Sequence, residues 1–391
     1  PISNKTQKYD PNQIRGLLRD ATKLRLQSDV PLSISLSGGI DSSIVAYEAI
    51  KGNGYQGDVF SIKYPGKNED ESQIASRFAS ELGVRQNIID FPEIDTNLLV
   101  DLVEVMDEPF SDYSFYPSFL LFSEQSKFST VVLTGDGGDE AFGGYSRYSR
   151  FKKLSNYLKF ISVARNLIPE FLHKNFPSKI KFLLTATTLD KRYLYTEILS
   201  MERKDNLENI FKSDFLMNLM KSYNSSDDPF KGVPDNTNNL ESVMDYLNYL
   251  PGDVLAKVDL TSMHSSVEAR SPFLDFRVAE LGLSLQDVNR FSKGKTKIAL
   301  RNAYKDRLPD YILNAKKKGF TVPYSYFTNP KFIEFGKQLL LDNPIICDQI
   351  FSQEKFEKYL FKKKKFTKLN AVQFWNFVML ELWFKANKEL I

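Results

Sequence analysis

The stretch "PLSISLSGGIDSSIVAYEAI", residues 31–50, limits the fold more than any other part of the chain. It sets an apolar strand against the paired glycines Gly38 and Gly39 and follows them with a helix over about 41–51. A strand running through such a turn leaves backbone N–H groups at a helix N-terminus, where the helix dipole favours an anion. Glycine lets the backbone come close to a phosphate, and Ser37, Ser42 and Ser43 add hydroxyl donors. Asp41 does not belong in an anion site unless a divalent cation ties its carboxylate to the phosphates, an arrangement that suits Mg2+. Helix capping accounts for one serine or aspartate, but not for Ser-Gly-Gly-x-Asp-Ser as a set. The stretch reads as a phosphate loop.

The flanking pattern says which sheet holds it. "PNQIRGLLRDATKLRLQ" and "DESQIASRFASELG" read as helices; "DVFSIKY", "RQNIIDF" and "STVVLTG" read as strands. Apolar strands separated by helices predict an α/β fold, a parallel sheet with helices on both faces. Ligands of such sheets bind beyond the carboxyl ends of the strands, where both "SGGIDSS" and "TGDGGDE" fall. Strand signals fade from about 151 to 231, which reads as a helical peripheral part. "PFKGVPDNTNN" (229–239) reads as a loop, and helical patterning resumes with "LESVMDYLNYLPGDVLAKVDLTSMHSSVEAR". The expected division is a nucleotide-binding core over about 10–150, a helical peripheral part over 151–240, and a helical part over 241–391 completing the site.

Composition removes several function classes. A net charge of +3, from 52 basic and 49 acidic residues, is close to balance and gives only weak support for nucleic-acid binding. The block "FKKKKF" (361–366) reads as a solvated face. A single cysteine, Cys347, excludes an intrachain disulfide and a multi-thiolate zinc site, and reads as a plain thiol. Two histidines, His173 and His264, argue against a histidine metal site or a Ser-His-Asp triad. No apolar run reaches the roughly 18 to 20 residues of a membrane span, and "PISNKTQKYDPNQ" lacks a signal peptide's apolar segment. The expectation is a soluble cytoplasmic protein with no membrane or nucleic-acid partner and an open oligomeric state. Two near-motifs fail on context. "GNGYQG" (52–57) follows a helix and precedes a strand, the reverse of a dinucleotide loop. "KGKTK" (293–297) has the GKT of a Walker A loop, but Asn289 stands where its first glycine belongs.

"SGGIDSS" resembles the pyrophosphate loop of the ATP pyrophosphatase superfamily (adenine nucleotide alpha hydrolase-like, PP-loop), whose members cleave ATP between the α and β phosphates. Further segments narrow the resemblance. "VVLTGDGGDEAFGGYSRY" (131–148), "SMHSSVEARSPFLDFRVAEL" (262–281), "KIALRNAY" (297–304), "ILNAKKKGFTVPY" (312–324) and the ending "FWNFVMLELWF" resemble, in order, the synthetase domain of asparagine synthase. The resemblance covers essentially the whole chain.

It implies an ATP- and Mg2+-dependent ligase that adenylates a carboxylate, by default L-aspartate, releases pyrophosphate, and lets ammonia or an amine attack. By resemblance Asp41 and Asp139 are the Mg2+ ligands, one from each loop. The backbone around Ser35, Ile62, Thr134 and Gly135 holds the adenosine part, and Ser37, Gly38, Gly39, Asp41 and Ser42 the pyrophosphate. Lys317, in "KKKGF", matches a lysine that neutralises charge on the transferring phosphates from a lid. Asp136 stands where well-studied asparagine synthases carry glutamate and β-lactam-forming relatives carry tyrosine. A carboxylate there orients or deprotonates the incoming nucleophile, which keeps amidation and leaves the carboxylate substrate open. Asp253 and Lys257 also match family positions, with Asp253 grouped among the catalytic residues. Glu268 and Arg270 match too, as a structural ion pair.

Enzymes of this kind usually carry an N-terminal glutaminase domain beginning with cysteine. This chain begins with Pro1, and Cys347 has no glutaminase motif around it. The expectation is that the chain does not hydrolyse glutamine itself. Its nitrogen then comes from free ammonia, a separate or deleted glutaminase domain, or a larger amine. Amidation of a sugar uronate, or lactam or macrolactam closure, would use the same chemistry. A tRNA-modifying PP-loop enzyme is disfavoured by the charge balance and single cysteine. An inactive scaffold is disfavoured by the presence of Asp41, Asp139 and Lys317.

Overall fold

Five strands, β1 (Leu32–Ser35), β2 (Val59–Lys63), β3 (Gln86–Asp90), β4 (Val131–Leu133) and β5 (Glu268–Arg270), pair in the order β3-β2-β1-β4-β5, all parallel. The computed structural model describes residues 9–64, 70–165, 186–187, 190–199, 210–225, 230, 233–315, 322, 324–342, 344–360 and 368–390. The strand order places a topological switch beside β1. The chain builds outward through β2 to β3, then returns to β4 on the other side. A crevice opens at such a switch, beyond the carboxyl ends of β1 and β4.

Period-two alternation sends β-strand side chains to two cores. Ile34, Val59 and Leu133 pack with α1 (Pro11–Arg25), α2 (Ile40–Tyr47) and α3 (Ser72–Leu82) through Ile14, Leu18, Ile44 and Phe78. Phe60 and Ile62 face α4 (Thr96–Val103), α5 (Phe115–Gln125) and the helix Lys368–Ala386, whose Trp375 is fully buried. Helix α1 starts where the sequence says it should. Asp10 accepts a hydrogen bond from the Asn12 amide at 2.9 Å, and Pro11 takes a first-turn position that needs no donor.

Beyond α6 (Gly138–Phe142), helix α7 (Ser146–Arg165) packs Tyr148 and Phe151 against Leu194 and Tyr195 of the helix Lys191–Leu199. A fully buried carboxylate, Asp245, is satisfied there by Arg147 at 2.5 Å and by the hydroxyls of Tyr148 and Tyr195 at 2.7 and 2.9 Å.

The structure differs from the sequence reading in three places. The run through "VEAR" is not helical to its end. The helix Ala256–His264 stops and β5 follows, in register with β4 through Leu133 and Arg270. A three-residue strand carries no periodicity, and only its distant partner makes it one. Helices α4 and α5 fill a stretch that the pattern left unassigned. "KGKTK" is a hairpin. Phe291–Ser292 pairs antiparallel with Lys295–Thr296, and Lys293 (φ 49°) and Gly294 (φ 80°) supply the two left-handed turn residues. Cys347 is buried, and burial pushes its thiol pKa up, away from nucleophilic chemistry. The "FKKKKF" run and His173 lie outside the described residues. No helix among the described residues is long and apolar enough to cross a membrane.

Candidate active site

The first loop is shaped by what lies beneath it. Gly38 has φ +83°, and a Cβ there would stand 3.1 Å from the Glu71 carbonyl and 3.2 Å from the Ala75 amide, so the loop rests on the start of α3. Only glycine fits both the backbone angle and the space. The Gly39 amide donates to Ser37 Oγ at 3.2 Å, and the Ser37 and Ser42 hydroxyls are 3.0 Å apart. Helix α2 begins without a side-chain cap. Asp41 is therefore not spent on capping. Its carboxylate reaches across to the second loop.

That loop, from Thr134 to Gly137, joins β4 to α6. Gly135 in this loop and Gly138 at the start of α6 are where it meets the first loop. A Cβ at Gly135 would stand 2.9 Å from the Ser42 amide, and one at Gly138 would stand 2.9 Å from Asp41 Cγ. This contact brings Asp139 beside Asp41, and one cation serves both. The Lys297 ammonium donates to Asp41 Oδ2 and stands 2.6 Å from Asp139 Oδ1. Lys297 is 2% exposed, and the aspartate side chains are 15% and 13% exposed.

A cavity of about 510 Å³ opens over these groups. Ser35, Ile62, Thr134 and Gly135 line it, as do Ser37, Gly39, Asp41 and Ser42, and Asp136 and Asp139. Three expected residues are placed otherwise. Gly38 is turned onto α3 and does not line the cavity. Asp253 stands one helical turn before Lys257, and it is Lys257 that reaches the cavity. Lys317 lies outside the described residues. The Glu268–Arg270 pair forms, at 2.6 Å, but away from the cavity. Arg270 also donates to the Gln27 carbonyl at 2.7 Å and so ties the sheet edge to the end of α1.

A second charged cluster surrounds Lys257. Its ammonium donates to Asp112 Oδ2 at 3.1 Å and to Ser114 Oγ at 2.9 Å, just before α5. Burial pulls the Lys257 pKa down, but Asp112, Asp136 and Asp253 outweigh it and the net shift is upward. Lys257 is held as a cation. Asp253 is pushed up to about 6, chiefly by burial and then by the Asp112 charge, against the pull of Lys257 and a hydrogen bond from Tyr249. Glu140, also lining the cavity, is pushed up to about 7 by burial and by Asp139, although Tyr145 donates to it at 2.6 Å. Carboxyls so placed can carry a proton near neutral pH.

Sequence reasoning did not single out Lys297, Glu140, Tyr145 or Asp112. Lys297 was the last residue of the discarded "KGKTK" and the first of "KIALRNAY"; only the fold brings it to Asp41, 256 residues away. Glu140 directly follows Asp139, and its burial was the hidden fact.

A model of the asparagine synthase family matches residues 13–385. A glutamine-hydrolysing asparagine synthetase of Bacillus subtilis is 26% identical over 386 residues, covering 96% of this chain and 59% of that protein. A putative glutamine-hydrolysing asparagine synthetase of Methanocaldococcus jannaschii is 36% identical over 170 residues, covering 41% of this chain and 33% of its own length. This chain thus spans less than two thirds of the length of each of these curated relatives. A solved NH3-dependent NAD synthetase from Campylobacter jejuni aligns over 35% of this chain and 61% of its own, at 16% identity and a TM-score of 0.26, a likeness too slight to carry an argument. The family match spans the sheet, both loops and the terminal helix, and on it the chain belongs to the asparagine synthase family, whose synthetases are carbon–nitrogen ligases.

Proposed function

We propose that this cavity binds ATP with Mg2+, adenylates the carboxylate of a small molecule, by default L-aspartate, and passes the acyl group to ammonia in the cytoplasm. The observation that carries the reading is the convergence of Asp41 and Asp139, from two loops at the switch point, on one cation at a cavity lined by Ser35, Ile62, Thr134 and Gly135. Two polyanions must be held together there, so the site needs converging donors and cations.

The residues fit Mg2+. Among the described residues no group of three or more histidine, cysteine or carboxylate side chains gathers as a metal cage. A pair of hard carboxylate oxygens is the donor set for a Mg2+ that takes its remaining ligands from phosphate and water. Asp41 and Asp139 would hold it, and bound there it would offset charge on the leaving pyrophosphate.

The residues of the chain divide the remaining work. The first loop, with Ser37 and Ser42, receives the phosphates at the N-terminus of α2. The substrate carboxylate oxygen attacks the α phosphorus, the bond to the β-phosphate oxygen breaks, and pyrophosphate leaves. Lys317 neutralises that leaving charge. Ammonia then attacks the acyl carbon, the bond to AMP oxygen breaks, and a nitrogen proton passes to a carboxylate. Asp136 is the group assigned to that proton. Lys257, fixed by Asp112, balances the charge of Asp136, and Asp253 sets the charge around Lys257. The ammonia is free or supplied by a glutaminase.

The test is nucleotide turnover with ATP radiolabelled at the α phosphate, Mg2+, ammonium and a panel of amino acids and uronates. The reading expects AMP and pyrophosphate in equal amounts, dependent on the carboxylate, with asparagine formed from aspartate. Release of ADP, or AMP formation indifferent to every carboxylate, would overturn it.

A further inference from the structure

Lys297 is held in a way that ordinary ion pairing does not require. Its backbone is left-handed (φ 54°, ψ 40°), a conformation that a non-glycine residue adopts at a cost. It stands immediately before the helix Ile298–Ala303, at the end of the hairpin Phe291–Thr296, so its side chain leaves a junction and not a regular element. The junction is pinned on one side. Arg301 Nε donates to the Thr296 carbonyl at 2.7 Å, and its guanidinium donates to the Leu313 carbonyl as well. Gly144 clears the space in front. A Cβ there would stand 1.8 Å from Asp139 Oδ1 and 2.5 Å from Lys297 Cε. Backbone strain and a glycine cradle both serve one contact, the ammonium between Asp41 and Asp139. Strain kept at such a contact points to function.

We infer that Lys297 is a tethered counter-ion that shares its seat with Mg2+, so that Asp41 and Asp139 admit the metal only together with a polyphosphate. This rests on the reading of those aspartates as the metal carboxylates. Two half-buried carboxylates side by side favour a cation between them, and Lys297 provides one without any ligand. Free Mg2+ would have to enter against that ammonium, in a setting that water screens poorly. A polyphosphate changes the balance. It offers Lys297 a new anionic partner at the first loop, and it brings oxygen ligands that the two carboxylates alone do not supply to Mg2+. Lys297 moves from carboxylate to phosphate as the metal takes its place. It is thus a positioning residue, one that couples metal entry to nucleotide entry and keeps the two loops in register until then.

The experiment is Mg2+ binding without nucleotide, followed by calorimetry and by the thermal unfolding midpoint, in the wild-type chain and in Lys297→Met and Lys297→Arg. The wild type is expected to ignore millimolar MgCl2 alone and to respond once pyrophosphate is added. Lys297→Met is expected to melt lower without metal and to regain stability with MgCl2 alone, with Mg2+ affinity at least about tenfold above wild type. Lys297→Arg keeps the charge and is expected to behave as wild type. Asp139→Asn placed on Lys297→Met should remove the gain. Equal Mg2+ responses in wild type and Lys297→Met would overturn the inference. If Lys297→Met does not fold, wild-type affinity for Mg2+ alone matching that with pyrophosphate would do so. Failure of the functional reading looks different: Asp139→Asn in the otherwise wild-type chain would leave AMP formation intact.

Discussion

Lys297 and Lys257 line the same cavity, both buried and both set against carboxylates, yet the chain holds them by different means. Lys257 projects from inside the helix Ala256–His264 and meets Asp112 and Ser114 at the start of α5, two regular elements packed together. Lys297 projects from a left-handed junction and bridges two loops. A lysine fixed on one helix against the start of another is a rigid support for what it faces. A lysine on a strained junction between loops is a part that can change partners. The difference suits the two halves of the proposed reaction, in which the phosphate side exchanges ligands and the acyl side keeps its geometry.

The largest effect should fall on the phosphate side. Asp139→Asn is expected to reduce AMP formation by about a hundred- to thousand-fold, since it removes a group aimed at charge that develops in the transition state. Its unfolding midpoint should move little, because Lys297 keeps Asp41. Normal turnover in this variant would erase the distinction between the two lysines.

Lys257→Met should act first on stability. It leaves the partly buried Asp112 without its cation, which costs about 2 kcal/mol in a urea titration once partial exposure is allowed for. Adding Asp112→Asn should restore much of that loss, and the double-mutant cycle reads the pairing directly. Purely additive losses would mean that the pair is not the rigid support described here.

Gly144→Ala tests the loop clasp without changing charge. The new methyl must displace Asp139 Oδ1 and Lys297 Cε, both ends of side chains, so the expected cost is about 1–2 kcal/mol with a clear loss of AMP formation. Unchanged turnover would show that the clasp has slack.

The smallest expected effect is a matter of pH. Asp253 sits at about 6 in the folded chain against an ordinary 3.8, so between those values the folded chain holds a proton that the unfolded chain has released. Stability therefore falls as pH rises through that window, and the loss is complete above about 6. Asp253→Asn should flatten this slope and gain about 1 kcal/mol at neutral pH, after allowing for partial exposure. A variant as pH-sensitive as wild type would remove Asp253 from the Lys257 cluster.

The comparison also explains what could be read in advance. The first loop was legible because its chemistry is local: strand, glycines and helix stand in one run of twenty residues, and Asp41 has no role in that run as a cap. Asp139 entered only through the family resemblance of "VVLTGDGGDEAFGGYSRY", and the structure sets it beside Asp41 across Lys297. The partners were not legible. Asp112 and Lys257 are separated by 145 residues, and Asp41 and Lys297 by 256. Nothing in the spacing of "KGKTK" tells a hairpin that ends at the cavity from one that ends in solvent. Strand β5 escaped for the same reason, since three residues become a strand only beside β4.

In the proposed reaction a carboxylate attacks the α phosphorus in this cavity. The direct measurement is the fate of a heavy-oxygen label placed on the substrate carboxylate, with ATP, Mg2+ and ammonium present. Adenylation predicts that the label appears in AMP, because the oxygen that attacks phosphorus leaves with it. Label in inorganic phosphate, or AMP formed without label, would contradict the claim.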